Sequence, residues 1–370
     1  MAAPRGYRFP WREGNRLQLL VDGPTFFARM LERIENARHA IRFEFYFVES
    51  GAVVDRFIDA LTRAARRGVT VKALLDGFGA LGLSRPDRER LAQAGVEIAF
   101  YNRLRYSRWL NNFFRNHRKL LVVDGQTAFV GGAGITDAFD PPDRARPPWR
   151  ESMVSIEGPV VIDWQALFDE TWGHCTGNPA TAMDPAPALL SGGVHGRIAA
   201  TNAEIKRSVV NRARAARSRL WVATAYFVPS RKLLRALRRA AARGVDTRLL
   251  LPGPLTDHPP VRHVGRRFYG GVLRQGVRIF EYQPRVLHAK VVLCDDWASV
   301  GSSNLDRWTL RWNLEANQEV ADPVFAADIR AMFEADFLES VEWNHALWQQ
   351  RPWHVRAREY LWGIVARWLT

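Results

Sequence analysis

Cysteine is nearly absent: Cys175 and Cys294 are the only two in 370 residues. Two cannot build a disulfide framework, and they are not spaced as metal ligands, so the chain must hold itself together with a core. A reducing compartment is the simpler setting. Lysine is almost as scarce, limited to Lys72, Lys119, Lys206, Lys232 and Lys290, so arginine carries the positive field. No apolar run approaches the roughly 18 residues of a spanning helix. The stretch MAAPRGYRFPWREGNRL has no apolar core of signal-peptide length. If the protein meets a membrane, the expectation is that it does so from the surface. Acidic side chains are outnumbered, 38 against 53 basic, for a net charge of +15. That excess points to an anionic partner, whether nucleic acid, anionic membrane or phosphate substrate, although the arginine bias of a GC-rich genome accounts for it equally well.

What is present suits a globular chain of two domains, with 47% hydrophobic and 25% charged residues in 370. The chain also repeats itself once. YFV at Tyr46–Val48 recurs at Tyr226–Val228, AARRGV ending at Val69 recurs as AAARGV ending at Val245, and AGVEIAFY is echoed by QGVRIFEY. Each copy begins with an alternating strand (AIRFEFYFV; RLWVATAYFV). An amphipathic helix follows and closes on a glycine, and then a Val/Leu strand (VTVKALLD; VDTRLLLP). Strands alternating with helices imply an α/β fold with largely parallel sheets, and a fold duplicated in one chain can reproduce within a monomer the two-fold interface of a homodimer. The expected boundaries are a first half at 1–178, a linker at 179–196 within a Pro-, Ala- and Gly-rich stretch, a second half at 197–340 and a C-terminal tail at 341–370.

The repeat carries chemistry. NHRKLLVVDG contains His117, Lys119 and Asp124, and LHAKVVLCDD contains His288, Lys290 and Asp295 at the same spacing, H-x-K-x-x-x-x-D. Residues i and i+2 of a strand face the same way, so each His is expected beside its Lys on one surface. Asp124 and Asp295 lie an odd seven residues on, next to a turn, where bracing the strand end is the natural role.

These paired motifs, with GGAGITD at Gly131–Asp137 and GSSNLD at Gly301–Asp306, resemble the phospholipase D superfamily. WREGNRLQLLVDG, WRESMVSIEGPVV and HAKVVLCDDWASVGSSNLDRWTLRWNLEAN are similar to bacterial cardiolipin synthases of the short B type, which lack N-terminal spanning helices. The resemblance covers about residues 10–340 and implies two α/β/α halves related by pseudo-two-fold symmetry, with mixed, mostly parallel sheets and an active site where the halves meet. It implies that one His attacks phosphorus while the other protonates the leaving oxygen and then deprotonates the incoming alcohol. His117 takes the nucleophile's role by family pattern, and His288 the acid/base role, with their exchange left open. The resemblance further implies that Lys119 and Lys290 neutralise the phosphoryl oxygens and that Ser302 and Asn304 bind phosphate. By the same resemblance Glu151 and Glu315 are expected to fix the histidine tautomers. No metal or other cofactor is expected. One position departs from the pattern: Gly134 stands where a counterpart to Asn304 is common, so that either phosphate binding is asymmetric or a backbone amide replaces the side chain.

The implied partner is a phospholipid, phosphatidylglycerol, at an anionic membrane surface, with the protein peripheral on the cytoplasmic face of the bacterial inner membrane. Two segments suit that surface. RLRYSRWLNNFFRN (103–116) precedes the first motif. The tail places Leu361, Ile364, Val365, Trp368 and Leu369 on one helical face, with Arg356, Arg358 and Arg367 elsewhere. A nuclease is the competing class, since +15 suits DNA. No nucleic-acid motif accompanies the charge, and nucleic acid is not the expected partner. Oligomeric state is left open. Gly77-Phe-Gly-Ala-Leu-Gly82 spells a dinucleotide fingerprint, but the next helix is expected to start only after Ser84 or Pro86, so these glycines read as a loop at a strand's carboxyl end.

Overall fold

The computed structural model describes residues 8–104, 112–143, 145–178, 187, 189, 190, 193–306 and 312–353. They form two compact units. The first runs to Thr201 and takes back Val300–Ser302 and Trp312–Val320; the second begins at Asn202.

The first unit comprises β1 (Arg12–Val21), α1 (Gly23–Glu35), β2 (Ala40–Phe45), α2 (Ala52–Arg66), β3 (Thr70–Asp76), α3 (Arg85–Gln93), β4 (Glu97–Tyr101), β5 (Arg115–Asn116), β6 (Lys119–Val123), β7 (Thr127–Gly131), β8 (Ser152–Glu157), α4 (Val161–Thr176) and β9 (Val194–Ala199). Its strands lie in the order β9-β1-β8-β7-β6-β2-β3-β4. AIRFEF of β2 is buried on both faces although it alternates apolar and charged residues. Ile41, Phe43 and Phe45 join a core with Phe26, Phe27 and Met30 of α1 and Phe57 and Leu61 of α2. On the opposite face Arg42 donates to Asp169 of α4 at 2.7 and 3.2 Å, which pairs a charge that burial would otherwise penalise.

The second unit repeats the plan with α5 (Asn202–Ala215), β10 (Arg219–Ala223), α6 (Arg231–Ala242), β11 (Asp246–Pro252), α7 (Pro259–Arg266), α8 (Tyr269–Leu273), β12 (Arg278–Tyr282), β13 (Val291–Cys294) and β14 (Trp297–Gly301). Next come β15 (Asn313–Leu314) and β16 (Asn317–Ala321), whose residues 313–320 belong to the first unit, and then α9 (Pro323–Leu338), β17 (Ser340–Trp343) and α10 (His345–Gln349). The strand order here is β17-β12-β11-β10-β13. Gly68 and Gly244, at φ 91° and 86°, end the equivalent helices α2 and α6 in the left-handed region that only glycine occupies without strain.

The α/β class and the two halves are as expected, but parallel pairing is narrower than a mostly parallel sheet. Among the described strands it is limited to β2-β3-β4 in the first unit, β10-β11-β12 in the second and the short β5-β15 pair. β6, β7 and β8 pair antiparallel with their neighbours. The reason is connection length: β6 and β7 are joined by a short turn, which can only return the chain antiparallel, whereas parallel neighbours need a helical crossover. The loop reading of Gly77–Gly82 holds, since Ser84 caps α3 by accepting from Asp87 N at 3.2 Å. The apolar tail face at 361–369 and residues 105–111 of the aromatic segment lie outside the described residues.

Candidate active site

Each motif stands at the carboxyl edge of a strand pair, and the two aspartates show how it is held there. Asp124 accepts from three successive backbone amides, Arg38 at 2.9 Å, His39 at 2.7 Å and Ala40 at 2.9 Å, which lead into β2. Asp295 accepts from Arg217, Ser218 and Arg219 N at 2.9, 2.9 and 3.0 Å, and from Ser218 Oγ at 2.8 Å, ahead of β10. Both sit at positive φ, 52° and 50°, in the tight turn after their strands. Burial raises the Asp295 carboxyl's pKa, but the amide and hydroxyl donors outweigh it and the net shift is downward. These aspartates therefore fasten the far end of the motif strand to its neighbour rather than reach a substrate.

His117, His288 and Lys290 lie outside regular strand, and only Lys119 falls within one. β6 begins only at Lys119 and β13 only at Val291. The cause is visible at His117. β2 ends at Phe45, opposite Lys119, so the preceding backbone needs other partners. Arg118 O takes the amide of Tyr46 at 3.2 Å, and His117 N donates to Leu314 O at 2.9 Å. β5 then pairs in parallel with β15.

That pairing brings a carboxylate to the first histidine. Glu315, fully buried, lies with Oε1 2.9 Å and Oε2 3.2 Å from His117 Nδ1, and it also accepts from Ser302 Oγ. A carboxylate only accepts, so Nδ1 carries the proton and Nε2 is the unprotonated nitrogen of the neutral ring. Glu151 occupies the equivalent place before β8. It is fully buried, accepts from Ser152 N at 2.9 Å, and lies so close to Gly132 that a Cβ there would come within 2.2 Å of Oε2. Gly132 is the counterpart of Ser302, so the two carboxylates are seated differently.

Lys119 and Lys290 are each 3% exposed and fold back on their own motifs. Lys119 Nζ donates to His117 O at 2.7 Å. Lys290 Nζ donates to His288 O and lies 2.8 Å from His288 Nδ1. Glu315 thus lies against the first imidazole and Lys290 against the second. Asn304 is 1% exposed with Nδ2 unbonded, while its Oδ1 accepts a long 3.5 Å bond from Thr224 Oγ1. A buried donor left open is costly unless a ligand oxygen meets it. At Gly134 a Cβ would lie 2.6 Å from Phe47 O. No amide side chain fits the first half there without displacing backbone.

Sequence reasoning passed over a supporting network. The Tyr46 ring stands edge-on to His117 at 4.7 Å, with Lys119 Nζ 5.2 Å from the same ring. Burial, reinforced by Asp76 and opposed by Arg115, pushes the Tyr46 hydroxyl up to about 12, so it stays protonated through neutral pH. Asp76 accepts from Asn116 N at 2.8 Å, and Asn116 Nδ2 donates to Glu44 at 2.6 Å, which fixes the residue preceding His117. Burial raises the pKa values of Glu44 and Asp76, against the pull of Arg118 and Arg115 respectively. The available signal was YFV recurring in both halves, and the charged positions inside otherwise apolar strands β2 and β3.

A duplicated α/β half, each carrying His-x-Lys at the carboxyl edge of its sheet, with a buried glutamate on the first imidazole, defines a phospholipase D-type phosphoryl-transfer protein. The cardiolipin synthase, PLD-like domain family matches residues 30–172 and 209–337, and the chain belongs to that family. Cardiolipin synthase A of Pseudomonas aeruginosa strain LESB58 is 38% identical over 353 residues, spanning 93% of this chain and 71% of that protein. Cardiolipin synthase A of Pseudomonas fluorescens strain SBW25 is 34% identical over 375 residues, spanning 99% and 77%. A solved structure, phosphatidylserine synthase of Haemophilus influenzae Rd KW20, superposes with a TM-score of 0.73 over 95% of this chain and 93% of that one. At 14% identity this is a likeness of fold alone.

Proposed function

We propose that the protein is a cardiolipin synthase, a phosphatidyltransferase that moves a phosphatidyl group from one phosphatidylglycerol to the hydroxyl of another and releases glycerol. The observation that carries the reading is the buried Glu315 on Nδ1 of His117, which leaves Nε2 as a nucleophile. In the first step Nε2 attacks phosphorus and the bond to the glycerol oxygen breaks. His288, as imidazolium, gives that oxygen its proton. In the second step neutral His288 takes the proton of the incoming hydroxyl, whose oxygen displaces His117 from phosphorus. Lys119, Lys290 and the open Nδ2 of Asn304 stabilise the charge that builds on the phosphoryl oxygens. Glu151, equivalent in sequence to Glu315, is assigned the same tautomer-fixing role for the other imidazole. Ser302 acts on Glu315, to which it donates, rather than on phosphate.

The site of action in this reading is the anionic cytoplasmic surface of the bacterial inner membrane, with the protein peripheral. No helix among the described residues is long and apolar enough to cross a membrane. The short B type remains a proposal carried by the flanking segments WREGNRLQLLVDG and WRESMVSIEGPVV, and the relatives above bear the name cardiolipin synthase A. The test is incubation with phosphatidylglycerol vesicles followed by lipid analysis. Cardiolipin and glycerol without added nucleotide are expected. Phosphatidic acid alone makes the protein a hydrolase, and intact lipid beside degraded DNA makes it a nuclease.

A further inference from the structure

Large apolar side chains collect at one rim of the first unit. Phe78 and Leu81 on the loop after β3 are 49% and 64% exposed, Leu104 after β4 is 45% exposed, and Phe113 before β5 is 50% exposed. The three segments are tied together. A Cβ at Gly77 would lie 2.6 Å from Arg103 Cα, so the two loops touch. Asn102 Nδ2 donates to Phe114 O at 2.8 Å, and Arg115 Nη2 donates to Asn102 O at 2.9 Å. The rim leads directly to the first motif: a Cβ at Gly79 would come within 2.2 Å of Tyr46 O, and the Tyr46 ring stands on His117. The equivalent loop after β11 leaves Leu255 exposed but turns Asp257 to the Tyr226 hydroxyl. The apolar rim is therefore not demanded by the repeated fold.

We propose that this rim is a membrane-docking surface whose occupant is a lipid bilayer with anionic headgroups, Phe78, Leu81, Leu104 and Phe113 entering the acyl boundary. The inference rests on the phosphatidyltransferase reading. Charge complementarity selects the bilayer: exposed Arg103, its guanidinium 4.3 Å from the Phe100 ring, precedes Leu104 on this rim with its backbone against Gly77, offering a headgroup contact beside an inserted one. Docking there brings the headgroup layer to the side of the first unit where His117 lies, so a two-tailed substrate can reach the imidazole without leaving the bilayer.

The test compares the wild-type chain with a Phe78→Ser, Leu81→Ser, Phe113→Ser variant on phosphatidylglycerol vesicles, by flotation, and on dihexanoyl phosphatidylglycerol dispersed below its micelle threshold. Each half-exposed side chain should contribute about five- to tenfold in vesicle affinity, so the triple variant should lose about a hundred- to a thousandfold. Its turnover of vesicles should fall with it, while turnover of dispersed substrate stays within about threefold. Equal flotation of the two proteins overturns the proposal, as does an equal loss on both substrates. A wild-type dimer that the variant splits assigns the rim to a second copy and also overturns it. A Phe78→Trp variant gives a reading independent of large replacement: quenching by lipids brominated on the acyl chains supports insertion, and its absence refutes it. If the wild-type chain makes no cardiolipin from either substrate, the functional reading fails while flotation and quenching still decide the docking.

Discussion

Glu315→Gln isolates what the buried carboxylate does for His117. The amide keeps the shape and can still accept one hydrogen bond through oxygen, but it removes the negative charge. In the attack on phosphorus the imidazole becomes positively charged, and in the structure Glu315 Oε1 lies 2.9 Å from Nδ1. Two unit charges whose centres are about 4 Å apart interact by about 4 kcal/mol at an effective dielectric of about 20. That corresponds to about a thousandfold in rate. The amide can also turn its NH2 toward Nδ1, which would draw the proton to Nε2 and abolish the lone pair that attacks. Both effects act on the chemical step, so kcat for cardiolipin formation should fall about a thousandfold with KM little changed, and phospho-enzyme formation in a single turnover should slow equally. Thermal unfolding controls for damage, because Ser302 Oγ donates to the same carboxylate. A folded Glu315→Gln enzyme within tenfold of wild type would refute the argument that this carboxylate sets the tautomer and balances the charge.

Three other perturbations probe neighbouring parts. With a slow-turnover substrate, His288→Ala should accumulate a covalent phosphatidyl-enzyme detectable by mass spectrometry and His117→Ala should not; the reverse pattern exchanges the two roles. Tyr46→Phe keeps the ring beside His117 and Lys119 and should hold kcat within about threefold, whereas Tyr46→Leu removes the cation–π contact and should cost about tenfold; equal losses would transfer the role to the hydroxyl. Asp295→Asn should lower stability at neutral pH by about 1–2 kcal/mol, seen as a reduced denaturation midpoint. Because folding depresses the Asp295 pKa below 3.8, its contribution is complete above that value and lost as pH falls through the folded one. The gap between wild type and variant should therefore close in acid, and a gap independent of pH would count against the carboxylate's role.

The layout of each half was legible because it is written in local patterns. The glycine closing α2 and the helix start at Ser84 depend on neighbours in sequence, and both could be read from them. The seven-residue offset of Asp124 from His117 likewise placed the carboxylate at a turn, where it now meets the amides of residues 38–40. What escaped was whatever depends on where a strand stops. His117 and Lys119 were expected on one face of a regular strand, but the pairing partner β2 ends at Phe45 and the histidine's amide goes to Leu314 instead. Periodicity cannot show this, because the side-chain alternation of a strand continues in the sequence whether or not a ladder partner is present. The Asp76–Asn116–Glu44 chain was hidden for a related reason. Charged residues in β2 and β3 look like the solvent face of an amphipathic strand until a second layer covers them.

The assignment of Glu315 exposes a deeper limit. Sequence equivalence pairs Glu151 with Glu315 and His117 with His288, so the repeat says that the two carboxylates do the same job, but it is unchanged if they trade histidines. Only the path of the chain breaks that symmetry. After β14 the chain returns Trp312–Val320 to the first unit, where β15 lies parallel to β5 and sets Glu315 against His117. A histidine encoded in the first repeat is therefore completed by a carboxylate encoded in the second, and Gly132 beside Glu151 against Ser302 beside Glu315 shows that the copies have since specialised. The serine hydroxyl gives Glu315 a donor that holds it toward His117, and glycine supplies none to Glu151. A carboxylate held by both an imidazole and a hydroxyl suits the residue that must balance charge while a covalent bond forms, and that requirement falls on the nucleophile's side of the reaction. The difference between the copies thus favours His117 as the attacking group on grounds independent of its position in the chain.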